Sequence, residues 1–186
     1  MNVGFSFAKT RSQHYDCFLL HDVDLLPMSP AAHLQCSAEG AVQMASAINV
    51  HNYRLPKHNY FGGANALSTR QFQRCNGFSS QYWGWGGEDD DLHIRRAVLM
   101  APLLRVRSSG QNALWANRTT GRYFMFKHVR DGGNVNVRRP RTTNRFLLKK
   151  AGQRFRTDGL NSLRHEILAV KRHGLYTEIL VDLQID

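Results

Sequence analysis

The sequence predicts an α/β domain, with a mixed sheet flanked by helices. Three observations carry this. A short apolar run, Cys17-Phe18-Leu19-Leu20-His21, stops at Asp22-Val23-Asp24, as buried strands of α/β sheets do. A helix with strong local start signals opens at Ser68. Arg122-Tyr123-Phe124-Met125-Phe126-Lys127-His128 alternates in the strand manner. The chain has 186 residues, within the range of one domain, so it is read as a single unit over 1–186. A domain of that size buries roughly 70% of its unfolded surface and needs no disulfide framework.

The first strand is expected to be buried and to be halted by Pro27 after Leu25-Leu26. Alternation along it would point Asp22 and Asp24 the same way. Paired carboxylates there suit a hard divalent cation, Mg²⁺ or Mn²⁺, or a sugar hydroxyl. The plainer reading is a strand end with solvated acids. Ligand sites in α/β sheets lie at such ends, which favours the first. Ala41 to Ile48 fits a strand better than a short helix. In Asn59-Tyr60-Phe61-Gly62-Gly63, the glycines would let backbone pass close under a ligand, with Tyr60 and Phe61 as a wall. A plain turn is the alternative.

Ser68 and Gln71 have capping-box spacing, and Leu67 and Phe72 have staple spacing. Asn76-Gly77 would end that helix. Next comes Tyr82-Trp83-Gly84-Trp85-Gly86-Gly87-Glu88-Asp89-Asp90-Asp91, two indoles among three glycines followed by four acids. It reads as the floor of a sugar site, because indoles offer flat apolar faces with a polar edge. Otherwise it is a glycine loop whose acids favour the next helix start. That helix is expected from Glu88 to Leu99. Ile94, Ala97, Val98 and Ala101 would share one face, with Arg95 and Arg96 off it. Leu103 to Val106 reads as a strand, and 131–137 as a loop. By residue type alone, Met125 is core filler and His128 structural.

Residues 138–156 hold eight basic residues and no acid, either a solvated face or an anion contact. The tail reads as a hairpin: Ile167 to Val170, a turn at His173-Gly174, then Tyr176 to Leu183. Net charge is +11, which permits nucleic acid, membrane surfaces or phosphate-bearing ligands. No helix-turn-helix, zinc spacing or aromatic-basic stripe supports nucleic acid. No apolar run approaches the roughly 20 residues of a membrane helix. Three cysteines leave open either free thiols or a Cys17–Cys36 bridge with Cys75 left over. Asn117-Arg118-Thr119 is an N-glycosylation acceptor pattern.

Taken in order, these blocks resemble the β-1,4-galactosyltransferases. The resemblance runs from Asn2-Val3-Gly4-Phe5 to Asp182. It is most specific in Phe18 to Pro27, Tyr60 to Gly63, Tyr82 to Asp91, Met125 to Asp131 and Asp158-Gly159-Leu160-Asn161-Ser162-Leu163. It implies a GT-A-type α/β fold, incomplete here, with the chain as the C-terminal half of the catalytic domain. It further implies a type II Golgi-lumen enzyme that moves galactose from UDP-galactose to a terminal N-acetylglucosamine, inverting, with Mn²⁺. Asp24, Met125 and His128 fall on the family's metal ligands. Asp22, Val23, Asp24, Tyr60, Gly62, Gly63, Trp85, His128, Val129, Arg130 and Asp131 fall on the donor side, and Gly87, Glu88, Asp89 and Asp90 on the acceptor side. Asp89 falls on the catalytic base. Tyr60 falls on the position that favours galactose over N-acetylgalactosamine. Cys17 and Cys36 have the family's disulfide spacing.

Three departures set further expectations. The family's catalytic domain has a preceding half with uridine and ribose contacts, so this chain alone is expected to be weak or inactive. Any membrane attachment would come through an anchor outside it. The family's acceptor-holding Arg-Phe pair has Arg139-Pro140 as its nearest counterpart, and Lys57 stands where an aromatic is expected. The competing readings are a carbohydrate-binding relic without turnover, or a relative using UDP-N-acetylgalactosamine or a xylose acceptor.

Overall fold

The computed structural model describes residues 1–12, 14–32, 34–100, 114–115, 120–127 and 141–183. Among these, one sheet runs in the order β1 (Cys17–His21), β5 (Ala64–Ser68), β3 (Val42–Gln43), β6 (Leu114–Trp115). β1 lies antiparallel to β5, with Cys17 opposite Ser68 and His21 opposite Ala64. β3 is antiparallel to β5 and parallel to β6. A second sheet runs β2 (Leu25–Pro27), β7 (Arg122–Met125), β4 (Ala47–Ile48). The chain leaves the first sheet at His21 and joins the second at Leu25, so Asp22-Val23-Asp24 is the crossing between them.

That crossing corrects two expectations. β1 is an edge strand, half-buried rather than buried. Asp22 to Asp24 is a turn, with Leu25 N–H donating to Asp22 O at 3.3 Å, so strand alternation does not govern where the two acids point. The Ala41–Ile48 segment is extended but kinked, giving β3 and β4 to different sheets.

Helix α1 (Asn2–Lys9) sends Phe5 into a core with Phe61, Leu67, Phe72, Phe78 and Leu92. Phe5 and Phe72 rings sit 4.6 Å apart. A second cluster, with Leu25, Met44, Ile48 and Tyr123, lies with the second sheet. Helix α2 (Thr69–Arg74) starts on the predicted capping box. Gln71 N–H donates to Ser68 Oγ at 3.2 Å, and Ser68 N–H to Gln71 Oε1 at 2.8 Å. The chain then turns at Asn76 and Gly77, both left-handed. Cys17 and Cys36 are disulfide-bonded, and Cys75 is a buried free thiol.

Helix α3 (Glu88–Met100) departs from its predicted facing. Arg95 and Arg96 are fully buried, whereas Ile94 and Ala97 are only partly so. Arg95 is tolerated because it meets two acids: its Nε pairs with Asp91, and its Nη2 lies 3.1 Å from Asp158 Oδ2. Arg154 completes the cluster, 2.9 Å from Asp91 Oδ2 and also paired with Asp158. A buried charge is costly unless paired, and breaking one such pair costs about 3–5 kcal/mol.

Arg154 ends α5 (Ala151–Arg154), which follows α4 (Arg141–Lys149). The described part of the basic run 138–156 is thus mainly helical, and it divides: Arg154 joins the buried ion cluster, whereas Arg145, Lys149, Lys150 and Arg156 are exposed, as on a solvated face. Strands β8 (His165–Arg172) and β9 (Thr177–Leu183) form the predicted hairpin, with a bulge between Ile167 and Ala169. The predicted strand 103–106 and the loop 131–137 lie outside the described residues.

Candidate active site

The two glycines bring the site together. A Cβ on Gly62 would lie 2.1 Å from Asp89 Oδ2 and 3.1 Å from the Tyr60 hydroxyl. Only a hydrogen fits there, so the Asp89 carboxylate rests on the Gly62 backbone. Gly63 O accepts from Asp22 N–H at 2.7 Å, fixing the start of the crossing turn against the same loop. Asp22, Glu88 and Asp89 line one cleft of about 710 Å³ together with Trp83 and Gly84. The same cleft extends to Asp158 and Arg164.

Electrostatics follow from that crowding. Burial, then Glu88, Asp22 and Asp90, push the Asp89 carboxyl up to about 8, with Lys57 pulling the other way. Burial, then Asp24 and Glu88, raise the Asp22 carboxyl too. Burial and the neighbouring acids, Asp89 first, raise the Tyr60 phenol, which stays protonated and can donate. Lys57 ion-pairs with Asp90. The residue that stands where an aromatic is expected thus holds one acid of the Glu88–Asp91 run.

On the other side of the turn, Phe126 N–H donates to Asp24 O at 3.0 Å, and Leu25 pairs with Met125 across β2 and β7. Met125 therefore sits beside Asp24 along the backbone. Its side chain is half-buried against the second core cluster, as a core filler would be. Val23 is 99% exposed, leaving its backbone as the part suited to a donor contact. His128, Val129, Arg130, Asp131, Arg139 and Asn117 lie outside the described residues.

Among the described residues, no three His, Cys, Asp or Glu side chains are grouped to hold a metal ion. The chemistry present still fits a divalent cation. Besides burial, the charges of Asp24 and Glu88 raise the proton affinity of Asp22, which marks negative charge that a cation would offset. Hard carboxylate oxygen is the donor Mn²⁺ prefers.

The glycine-tryptophan loop is built by a different device. Gly87 has φ +106°, and a Cβ there would meet the Tyr82 ring at 2.7 Å. Tyr82 in turn donates to Asp91 Oδ2 at 3.0 Å. Trp85 stands 57% exposed and Trp83 is half-buried. From α4, Asn144 donates to the carbonyls of Trp83 and Gly86. Motif reading passed over this contact, and no short-range signal in the sequence announces it. It also passed over Arg145-Phe146, an Arg-Phe pair beside Asn144 whose two side chains are exposed on α4. The dipeptide itself was the available signal.

A family model described as the N-terminal domain of galactosyltransferase matches residues 42–129. β-1,4-Galactosyltransferase 4 of Cricetulus griseus is 40% identical over 183 residues, covering 98% of this chain and 48% of the relative. β-1,4-Galactosyltransferase 3 of Homo sapiens is 38% identical over 187 residues, covering 100% and 44%. The chain thus spans about half the length of the curated relatives it matches. The crystal structure of the catalytic domain of Drosophila β1,4-galactosyltransferase 7, in complex with xylobiose, superposes with a TM-score of 0.71 at 24% identity. The match covers all of this chain and 73% of that one. A mutant of that enzyme, in complex with manganese, UDP-Gal and xylobiose, gives 0.61. The fold is GT-A-type, and by its sequence the chain belongs to the β-1,4-galactosyltransferase family.

Proposed function

We propose that this chain is the C-terminal part of a Golgi-lumen catalytic domain. Its reaction is the inverting, β-1,4 transfer of galactose from UDP-galactose to a terminal N-acetylglucosamine. The supporting observation is the single cleft that Asp22, Glu88 and Asp89 share with Trp83. No helix among the described residues is long and apolar enough to cross a membrane.

Asp89 is the general base. Its carboxylate takes the proton from the acceptor hydroxyl as that oxygen bonds to the anomeric carbon. The bond from that carbon to the diphosphate oxygen breaks, and its electron pair leaves with UDP. A positioned base contributes about 10²–10⁴-fold. Raised proton affinity makes Asp89 a stronger base, at the cost of a smaller ionised fraction near pH 7. Asp24 and Met125, with His128, would hold Mn²⁺. A bound Mn²⁺ supplies stabilisation of the negative charge on the departing diphosphate.

Tyr60, held at the glycine pair, crowds the C2 substituent of the donor sugar and favours galactose. Trp83 and Trp85 offer faces for a sugar ring. Arg145-Phe146 is exposed on α4 and takes the acceptor-holding role in place of Arg139-Pro140.

The test is transfer from UDP-galactose to N-acetylglucosamine, with and without Mn²⁺, comparing wild type with Asp89→Asn. Slow, Mn²⁺-dependent β-1,4 transfer that Asp89→Asn abolishes is the expected result. Equal or better use of UDP-N-acetylgalactosamine rejects the donor assignment. Glycan binding with no UDP binding and no transfer supports the relic reading instead.

A further inference from the structure

We propose that Asn144 is a positioning residue that sets the pose of the Trp83–Gly86 loop and so couples helix α4 to the sugar-binding wall. The inference rests on the reading of that wall given above.

The Asn144 side-chain nitrogen lies 3.1 Å from Trp83 O and 2.8 Å from Gly86 O. Both partners are carbonyls, which only accept. The group facing them must be the amide NH₂, and its two hydrogens satisfy one carbonyl each. The two carbonyls bracket Gly84-Trp85. Gly84 and Gly86 have φ +68° and +97°, conformations that cost glycine little and therefore do not hold themselves. A clamp from outside the loop is what selects one arrangement of the indole between them.

Asn144 is 4% exposed, so water competes poorly for these bonds. Its Oδ1 is buried without a partner. An apolar side chain would pack there without that cost, so the donated pair is what accounts for an amide. The clamp is itself anchored. Arg154 donates to Leu147 O on α4 at 3.2 Å while pairing with Asp91 and Asp158. A continuous chain of contacts therefore runs from the buried ion cluster through α4 to the loop that carries Trp85.

Substitution separates the donor from the shape. Asn144→Asp is nearly isosteric but turns a donor toward two carbonyls into an acceptor that repels them. Asn144→Ser keeps one short donor and serves where the Asp variant fails to fold. The full chain is labelled with 5-fluorotryptophan and its three tryptophans are followed by ¹⁹F NMR, with Trp115 as control. In either variant the Trp83 and Trp85 resonances are expected to move or broaden while that of Trp115 stays. In Asn144→Asp the Michaelis constant for N-acetylglucosamine is expected to rise about tenfold, with kcat less affected, from two lost hydrogen bonds. Unchanged Trp83 and Trp85 resonances in the folded variants overturn the proposal. The NMR readout needs no turnover. Movement of the resonances in a chain whose wild type neither binds UDP nor transfers sugar would retain the clamp and reject the transferase reading.

Discussion

Asp89→Asn should disable the enzyme and stabilise the fold, with the gain depending on pH. An ordinary aspartate titrates near 3.8, and Asp89 near 8. Its folded-state proton affinity is raised, so wild-type stability is highest where Asp89 is protonated in both states. It falls as pH climbs from about 4, because the unfolded chain has released the proton and the folded one has not, and it levels off above about 8. The gap between the two values corresponds to about 6 kcal/mol. Asp89 keeps partial solvent access, so the share recovered on neutralisation is about 2–3 kcal/mol. In a chain of this length that raises the melting temperature by roughly 5–10 °C. The assay is thermal unfolding by circular dichroism at pH 4.5 and pH 9, with chelator present. The variant should match wild type at the lower pH and exceed it at the higher. Transfer activity should fall about 10²–10⁴-fold. Equal melting temperatures at both pH values would refute the crowded, buried placement of Asp89, whatever happened to activity.

Gly62→Ala should cost about 100-fold in transfer, because its methyl occupies the Asp89 carboxylate's place and misplaces it by an ångström or more; activity within a few-fold of wild type would exclude the contact. Arg95→Leu should lose about 3 kcal/mol in urea unfolding, since it leaves Asp91 and Asp158 buried with a partner missing. Reducing Cys17–Cys36, which are 19 positions apart, should cost about 3 kcal/mol by releasing that loop in the unfolded chain. Melting temperature with and without reductant reads it. Tyr60→Leu should raise use of UDP-N-acetylgalactosamine relative to UDP-galactose, measured as a ratio of the two turnover rates.

Local chemistry made part of the fold legible. The Ser68–Gln71 box and the Asn76-Gly77 stop are read within a few residues, and the structure uses both. The terminal hairpin was legible for the same reason. Arg95 and Arg96 were misread because helical periodicity treats arginine as outward-facing. The acid and second arginine that make Arg95 an interior residue lie beyond position 150. Helix α4 was hidden inside a basic run, where charge composition masks the apolar trio Phe146-Leu147-Leu148. As for the site, each glycine, acid and indole was visible singly. Nothing in periodicity could say that position 62 lies under position 89, or that position 22 borders position 88. Ordered blocks matching a family supplied that expectation, and Asn144, inside none of those blocks, escaped it.

The acid run itself shows why one motif supported two readings. Successive residues on a helix point about 100° apart, so four acids in a row sweep most of the way round α3. Glu88 and Asp89 face the cleft, and Asp89 also rests on Gly62. Asp90 turns to Lys57. Asp91 turns inward to Arg95, Arg154 and the Tyr82 hydroxyl. The charge of the run is therefore divided among distinct surroundings, and Asp89 is driven to a proton affinity suited to a base near neutrality. Asp91 secures the first turn of the helix to the interior, and this holds the cleft pair where desolvation and mutual repulsion act on them. A dipole-favoured helix start and the proposed sugar-transfer site are thus the same four residues viewed from different sides of one helix.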